Sequence, residues 1–327
     1  MEELLNAYGR ERKPCLFVLD YELQHPLVWP LDDVPSGHVW YDLGGRTNVP
    51  PLAVRPDAFS FSRFPVPFEE FRRKFRYVHD ELLAGNSFLT NLTVRTRVET
   101  SLSFREIFQR SQARYKLYID SLPEGNPCPP FVCFSPEIFV RIEGNRIASY
   151  PMKGTMDATR ETAAEELLAD EKERFEHATI VDLIRNDLAR ITTTRWVERF
   201  RYLEEIRTNG KPLLQASSEI AGTLPEGWQN QLGTLLARLL PAGSITGAPK
   251  PKTMDIIREA EGEPRGYYTG IVGLFDGKNL DTGVLIRFLE QRDDGLWFRS
   301  GGGITFLSEA EKEYQEVIDK VYLPILS

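Results

Sequence analysis

The sequence predicts an α+β protein built on large antiparallel sheets. Strand-like runs outnumber helical ones and fall in hairpin-like pairs. They do not alternate with helices as the βαβ units of a parallel sheet would. No internal repeat or low-complexity linker divides the 327 residues, so one intertwined unit is expected. Residues 1–84 then contribute N-terminal strands and a helix to the same fold as residues 85–327.

In chain order, short strands broken by proline and glycine are read in "CLFVLDYEL" and "HVWYDLGG", within residues 15–60. "PFEEFRRKFRYVHDELLAG" (67–85) has a helical period. Phe68, Phe71, Phe75, Val78 and Leu82 share one stripe, and Gly85 is placed to end it. "SFLTNLTVRTRVE" (87–99) alternates like a half-buried strand. Residues 103–119 begin as a helix. "PPFVCFSPEIFVRIEGNRIASYPMKG" reads as a hairpin around Glu143-Gly144-Asn145. Residues 159–191 form one long helix or two abutting ones, and further helices cover about 228–240 and 250–261. "YYTGIVGLFDG" and "LDTGVLIRFLEQ" are expected to pair as strands, followed by "GLWFRSGGGITFL". The last helix is "SEAEKEYQEVIDKVYLPIL", with Ser308 as its N-cap.

Hydrophobic content of 41% and charged content of 27% are those of a soluble globular protein. A formal charge of −8 argues against nucleic-acid binding. It also requires that any anionic substrate be caught by locally placed cations. No apolar run approaches the roughly 18 residues that span a bilayer. The stretch "MEELLNAYGRERKPC" is too polar for a secretory signal, so a cytoplasmic protein is expected. Cys15, Cys128 and Cys133 are too few and too irregular for a disulfide framework. The four histidines show no HExxH pattern, which disfavours zinc.

Four constellations could carry chemistry. Glu173 and Glu176 share a helix face, Glu313 and Glu316 repeat the spacing, and Lys320 lies a further turn along. Four carboxylates facing one cleft would need a divalent cation, and oxygen-only ligation suits Mg²⁺; equally, both pairs are solvated helix faces. "PAGSITGAPKPKTM" (241–254) offers backbone N–H groups to an anion, or is a tight helix-entry loop. The three glycines of "SGGGITF" either let a ligand approach the backbone or form a bulge. Lys153, in "SYPMKGTMD", faces Glu137 across the hairpin if the turn has three residues and turns away if it has two. As a nucleophile it would need desolvation to lower its pKa; otherwise it is a salt-bridged charge.

Together these stretches resemble the chorismate-utilising enzymes, a group that includes anthranilate, aminodeoxychorismate, isochorismate and salicylate synthases. "GNSFLTNLT", "FSPEIFV", "PMKGT", "KERFEHATIVDLIRNDLAR", "PAGSITGAPKPKTMDII", "YYTGIVGLFDG", "LDTGVLIR" and "GGGITFLSEAEKEYQEVIDK" occur in the group's order over roughly residues 85–320. The resemblance makes 85–327 the chorismate-binding catalytic domain. It implies a sandwich of two antiparallel sheets flanked by helices, with a cleft between halves. The lysine of Pro151-Met152-Lys153-Gly154-Thr155 is similar to that of the aminodeoxychorismate synthase branch, which puts an amino group in place of the 4-hydroxyl of chorismate. The sister branches usually carry alanine there.

By this resemblance Lys153 is the nucleophile and Glu137 the general acid. Glu176 and Glu316 ligate Mg²⁺, assisted by Glu173 and Glu313. Arg287 and Lys320 hold the substrate carboxylates. Gly301, Gly302 and Gly303 offer backbone N–H groups, while Tyr268, Thr246 and Thr155 line the pocket. Gln215, Leu89 and Phe288 depart from the group's usual residues. No cysteine lies in a nucleophile-elbow context, so a separate glutamine amidotransferase subunit is implied as the ammonia source. The alternatives are an anthranilate or isochorismate synthase, or a non-catalytic chorismate-binding subunit.

Overall fold

The computed structural model describes residues 1–50, 58–206 and 212–325, apart from the side chains of Thr155, Lys172 and Ile206. Its described strands form two antiparallel sheets of nine. The first runs Met152–Asp157, Leu213–Thr223, Arg146–Ser149, Ile138–Glu143, Leu280–Val284, Ile271–Phe275, Cys15–Leu19, Leu27–Pro30. Thr194–Ile206 is also paired to Leu213–Thr223. The second runs Gly247–Ala248, Leu89–Thr100, Gly295–Ile304, Phe288–Arg292, Phe131–Ser135, Tyr115–Ile119, Val39–Leu43, Arg46–Thr47. Phe61–Phe64 also pairs with Leu89–Thr100.

Alternation decides how the sheets stack. Along Cys15–Leu19, Leu16 and Val18 face the second sheet, where they join Tyr41, Tyr115, Leu117 and Phe131. Phe17 and Leu19 face the other way, into a core with the helices Glu2–Arg10, Glu171–Ala189 and Leu232–Leu239. Helix Phe68–Leu83 buries Phe71, Phe75, Val78 and Leu82, the stripe expected from its spacing. They meet Leu92 and Val94 of the second sheet, with Ile256 of helix Lys250–Glu261 and Val317 of helix Ala310–Asp319. Each such buried side chain stabilises the fold by roughly 1.5–3 kcal/mol relative to exposure. No helix among the described residues is long and apolar enough to cross a membrane.

The 159–191 segment is two helices, Ala163–Ala169 and Glu171–Ala189. The break is at Asp170, whose carboxylate accepts the Glu173 N–H at 2.9 Å. The hairpin turn has two residues, because Glu143 pairs with Arg146. Its ladder stops at Ser149, and Met152–Asp157 pairs with Leu213–Thr223 instead. Glu137 and Lys153 are therefore not cross-strand neighbours. Ser308 is not the N-cap of the last helix. Glu309 holds that position, and the Ser308 hydroxyl donates to Glu313 at 2.7 Å. The glycines 301–303 form no bulge; they continue the regular ladder with Leu89–Thr100.

Two devices fix the Leu89–Thr100 strand, which borders the site. Arg265 donates to both Glu261 oxygens and to the carbonyls of Ile245 and Asn91, each pair within 2.7–2.9 Å, and Glu261 accepts the Thr93 N–H. The buried pair is thus almost completely satisfied, the condition under which such a pair is tolerated. Gly247, at φ +115°, presses against the same strand; a Cβ there would lie 1.8 Å from the Leu89 carbonyl oxygen. Gly247→Ala is expected to lower stability by about 3 kcal/mol or more, through strain and overlap together. An unchanged thermal midpoint would contradict this contact.

Candidate active site

Lys153 owes its position to a bulge. Met152 lies opposite Ser217 and Thr155 opposite Gln215, so Lys153 and Gly154 together face one residue. Gly154 has φ +83°, and a Cβ would meet Glu173 Oε2 at 3.0 Å and Leu167 Cδ1 at 3.1 Å. Glycine lets the strand run tight against helix Glu171–Ala189. Lys153 Nζ then reaches Glu176 Oε2 at 2.7 Å. The ammonium also feels Glu316 and Glu173. Burial acts to lower its pKa, but these carboxylates outweigh burial and hold it above the ordinary lysine value. The lowered pKa expected of a desolvated nucleophile is thus not what this charge balance produces.

Helix Ala310–Asp319 and its C-cap supply the facing wall. Lys320 Nζ donates to Glu316 Oε1 at 2.6 Å and to the Gly301 carbonyl at 2.8 Å. Burial, together with the nearby Arg287 and Lys153 cations, lowers the Lys320 pKa against the pull of Glu316. Gly302 makes room for two carboxylates: a Cβ would lie 3.4 Å from Glu313 Oε2 and 3.7 Å from Glu316 Oε1. The Asn91 and Thr93 N–H groups bond to Thr246 and Glu261, away from the glycine strand. The opposing residues Gly303 and Gly301 therefore also direct their amides away, toward the strand's other edge, while Gly302 pairs with Leu92. Only two of the three glycines expected to offer amides have that orientation.

Glu137 follows the strand Phe131–Ser135. Burial pushes its carboxyl pKa up, against a 2.6 Å hydrogen bond from Ser244 and the fields of Lys320 and Arg287. An upward shift of this kind suits a general acid. Arg287 adopts φ +54°, a conformation uncommon outside glycine and often found at functional sites. Its Nε is buried with no hydrogen-bond partner among the described residues. Tyr268 is 3% exposed, with burial raising its hydroxyl pKa to about 12. Thr246 is fully buried, its carbonyl accepting the Asn91 N–H at 3.0 Å. The Thr155 side chain lies outside the described residues.

Lys153, Glu176, Glu316, Glu173, Lys320, Arg287 and Glu137 are thus electrostatic neighbours, with Lys320 linking the two ends. As the side chains stand, no three Asp, Glu, His or Cys groups among the described residues are gathered as an ion cage. Lysine ammoniums sit against Glu176 and Glu316 instead. The donor chemistry still fits a hard cation: four carboxylates, with the Gly302 hollow beside two of them.

Sequence reasoning missed Ser244. Its motif suggests backbone N–H groups as donors, yet the Ser244 hydroxyl is the donor, to Glu137, 107 positions away. It also missed the role of Lys250, which pairs with Asp187 at 2.7 Å and donates to the Leu239 carbonyl. That makes the 241–254 segment a buried helix entry. Beside Glu137 lies a cavity of about 20 Å³, bounded also by Asp187 and Ser244. It has room for one molecule the size of water or ammonia.

Glu137→Gln is expected to raise the thermal midpoint at about pH 7 by a few degrees, and to leave it unchanged near pH 3. The folded-state pKa of Glu137 lies above its unfolded value. Its contribution is therefore fully present below the unfolded pKa and is lost as pH rises through the folded one. Melts across pH check the sign; a lower midpoint at neutral pH would refute it.

Known proteins supply the family. The family described as chorismate binding enzyme matches residues 47–325. An uncharacterized PabA-like protein of Haemophilus influenzae is 48% identical over 99% of this chain and 96% of its own length. Aminodeoxychorismate synthase component 1 of Bacillus subtilis is 30% identical over 79% of this chain, which spans 56% of that relative. Among solved structures, the menaquinone-specific isochorismate synthase of Escherichia coli shares the fold with a TM-score of 0.74 at 16% identity, over 97% of this chain and 79% of that one. Anthranilate synthase component I of Streptococcus pneumoniae gives 0.66 at 27% identity, over 81% and 59%. With its two sheets, its cleft of carboxylates and cations, and a family match over most of its length, this chain belongs to the chorismate-binding enzymes.

Proposed function

We propose that this protein is an aminodeoxychorismate synthase component I, an aminotransferring enzyme acting in the cytoplasm on the route to p-aminobenzoate and folate. The observation that carries this reading is the place of Lys153. It is half-buried, 2.7 Å from Glu176 and among Glu173 and Glu316, rather than on a solvated face. Residues 85–327 form the catalytic domain in this reading.

Lys153 attacks ring carbon 2 of chorismate as the free amine, its ammonium proton passing to a neighbouring carboxylate. The ring double bond shifts, and the 4-hydroxyl leaves as water on taking the Glu137 proton; hydroxide alone is a poor leaving group. Ammonia then adds at carbon 4 and the Lys153–carbon bond breaks, restoring the double bond. The balance is chorismate plus ammonia to 4-amino-4-deoxychorismate plus water. Ser244 holds the Glu137 carboxyl in place. Arg287 and Lys320 bind substrate carboxylates, helped by the Gly301 and Gly303 amides, with Tyr268, Thr246 and Thr155 lining the pocket. Glu176 and Glu316 would hold Mg²⁺, with Glu173 and Glu313 assisting. Bound there, the ion would neutralise the carboxylates, compete with Lys153 for Glu176 and bind the ring carboxylate.

Ammonia would come from a separate glutamine amidotransferase subunit. Burial raises the thiol pKa of Cys15 to about 12 and of Cys128 to about 11, and pushes Cys133 up as well. None is the activated thiolate that glutamine hydrolysis needs.

Purified protein given chorismate, Mg²⁺ and an ammonium salt is expected to form 4-amino-4-deoxychorismate. Lys153→Ala should lower that rate at least about 100-fold, the scale of a lost catalytic group. Anthranilate, or isochorismate without nitrogen uptake, would assign the protein to a sister branch. Absence of turnover by folded protein would make it a binding subunit.

A further inference from the structure

A second cavity lies at the edge of strand Leu89–Thr100. Along that edge Gly247–Ala248 covers residues 89–90 and Phe61–Phe64 covers residues 97–100. Among the described residues no strand covers the stretch between. Helix Phe68–Leu83 and the end of helix Lys250–Glu261 flank it there, leaving a cavity of about 310 Å³. Lys74, Thr93, Arg95, Glu263, Trp297 and Arg299 line it, with Glu70 and Glu261. The volume is that of a small-molecule site. None of these residues belongs to the proposed catalytic set.

The lining has a charge preference. Glu261 is matched by Arg265 at 2.7 Å. The remaining groups are Lys74, Arg95 and Arg299 against Glu70 and Glu263, an excess of one positive charge. Arg299 is 2% exposed, yet its one ion-pair contact among the described residues is a 3.5 Å approach to a Glu290 oxygen that Arg292 holds at 2.7 Å. Its Nε and the Thr93 hydroxyl are both buried without a hydrogen-bond partner among the described residues. Buried donors are nearly always satisfied, so an acceptor is missing here. Trp297, with the Arg95 guanidinium 5.2 Å from its ring, supplies a flat wall, and Val66 and Val94 add apolar surface.

We propose that this cavity binds a small monoanionic carboxylate with a flat apolar body, an aromatic acid. The carboxylate accepts from Arg299 and Thr93, and the ring lies against Trp297. Two contacts carry occupancy toward the chorismate cleft. The Arg299 guanidinium sits 5.0 Å over the Tyr268 ring, and Thr93 lies opposite Gly301. The site does not depend on which chorismate reaction the protein performs.

Calorimetric titration of the full chain with 4-aminobenzoate and with benzoate tests this, with cyclohexylamine as a cationic control. Expected is saturable one-to-one binding of both acids and none of the amine. Lys74→Gln and Thr93→Val should each weaken it at least about fivefold, and Arg299→Gln should abolish it. Lys153→Ala should leave it unchanged. If Arg299→Gln fails to fold, the less buried Lys74→Gln decides. Absence of saturable binding at millimolar acid, or affinity unaltered in Lys74→Gln and Thr93→Val, overturns the proposal. Loss in Lys153→Ala also overturns it, because the acid would then occupy the catalytic cleft.

Discussion

The cleft depends on one charge balance: four carboxylates from two helices held against two lysine ammoniums. Glu173 and Glu176 come from helix Glu171–Ala189, and Glu313 and Glu316 from helix Ala310–Asp319. Like charges brought together away from bulk water repel strongly. Lys153 and Lys320, each within 2.7 Å of a carboxylate oxygen, offset that repulsion. The same balance explains why the Lys153 pKa is raised, and why the cleft suits a hard cation and a substrate carboxylate. A cation bound there would share the work of the two lysines.

The backbone accommodates that balance at two glycines. Gly154 lets a bulged strand pass against Glu173, and Gly302 leaves a hollow beside Glu313 and Glu316. Farther out, the Glu261–Arg265 network and the close contact of Gly247 with Leu89 hold the strand from which the glycine strand takes its register. Burial treats the two proton carriers differently. For Glu137 burial raises the carboxyl pKa and outweighs the Ser244 hydrogen bond and the cations Lys320 and Arg287, which pull the other way. Lys153 sits among carboxylates, which oppose burial and keep it charged.

Much of the architecture was legible in the chain. The Phe68, Phe71, Phe75, Val78 and Leu82 stripe repeats at helical spacing because one helix face must be buried, and the structure buries all but Phe68 fully. The hairpin and the paired strands near residues 271–284 were legible for the same reason, since period-two alternation reports which face is covered. The helix Glu2–Arg10 and the charged strand Thr194–Ile206 were not. The first is held by distant partners, such as the Asn6 side chain accepting from the Gly233 and Thr234 N–H groups. The second exposes much of its length, so its alternation carries little hydrophobic signal.

By itself the sequence determined the fold class, the family and the carboxylate spacing, because these rest on local periodicity and motif order. Only the tertiary structure decided what each charged group faces. The hairpin register excluded a ladder contact between Glu137 and Lys153. The bulge at Gly154 paired Lys153 with Glu176, and Ser244 reached Glu137 from 107 residues away. Protonation depends on burial and on neighbours within a few ångströms. Those neighbours come from separate strands and helices, so no local pattern in the chain encodes them.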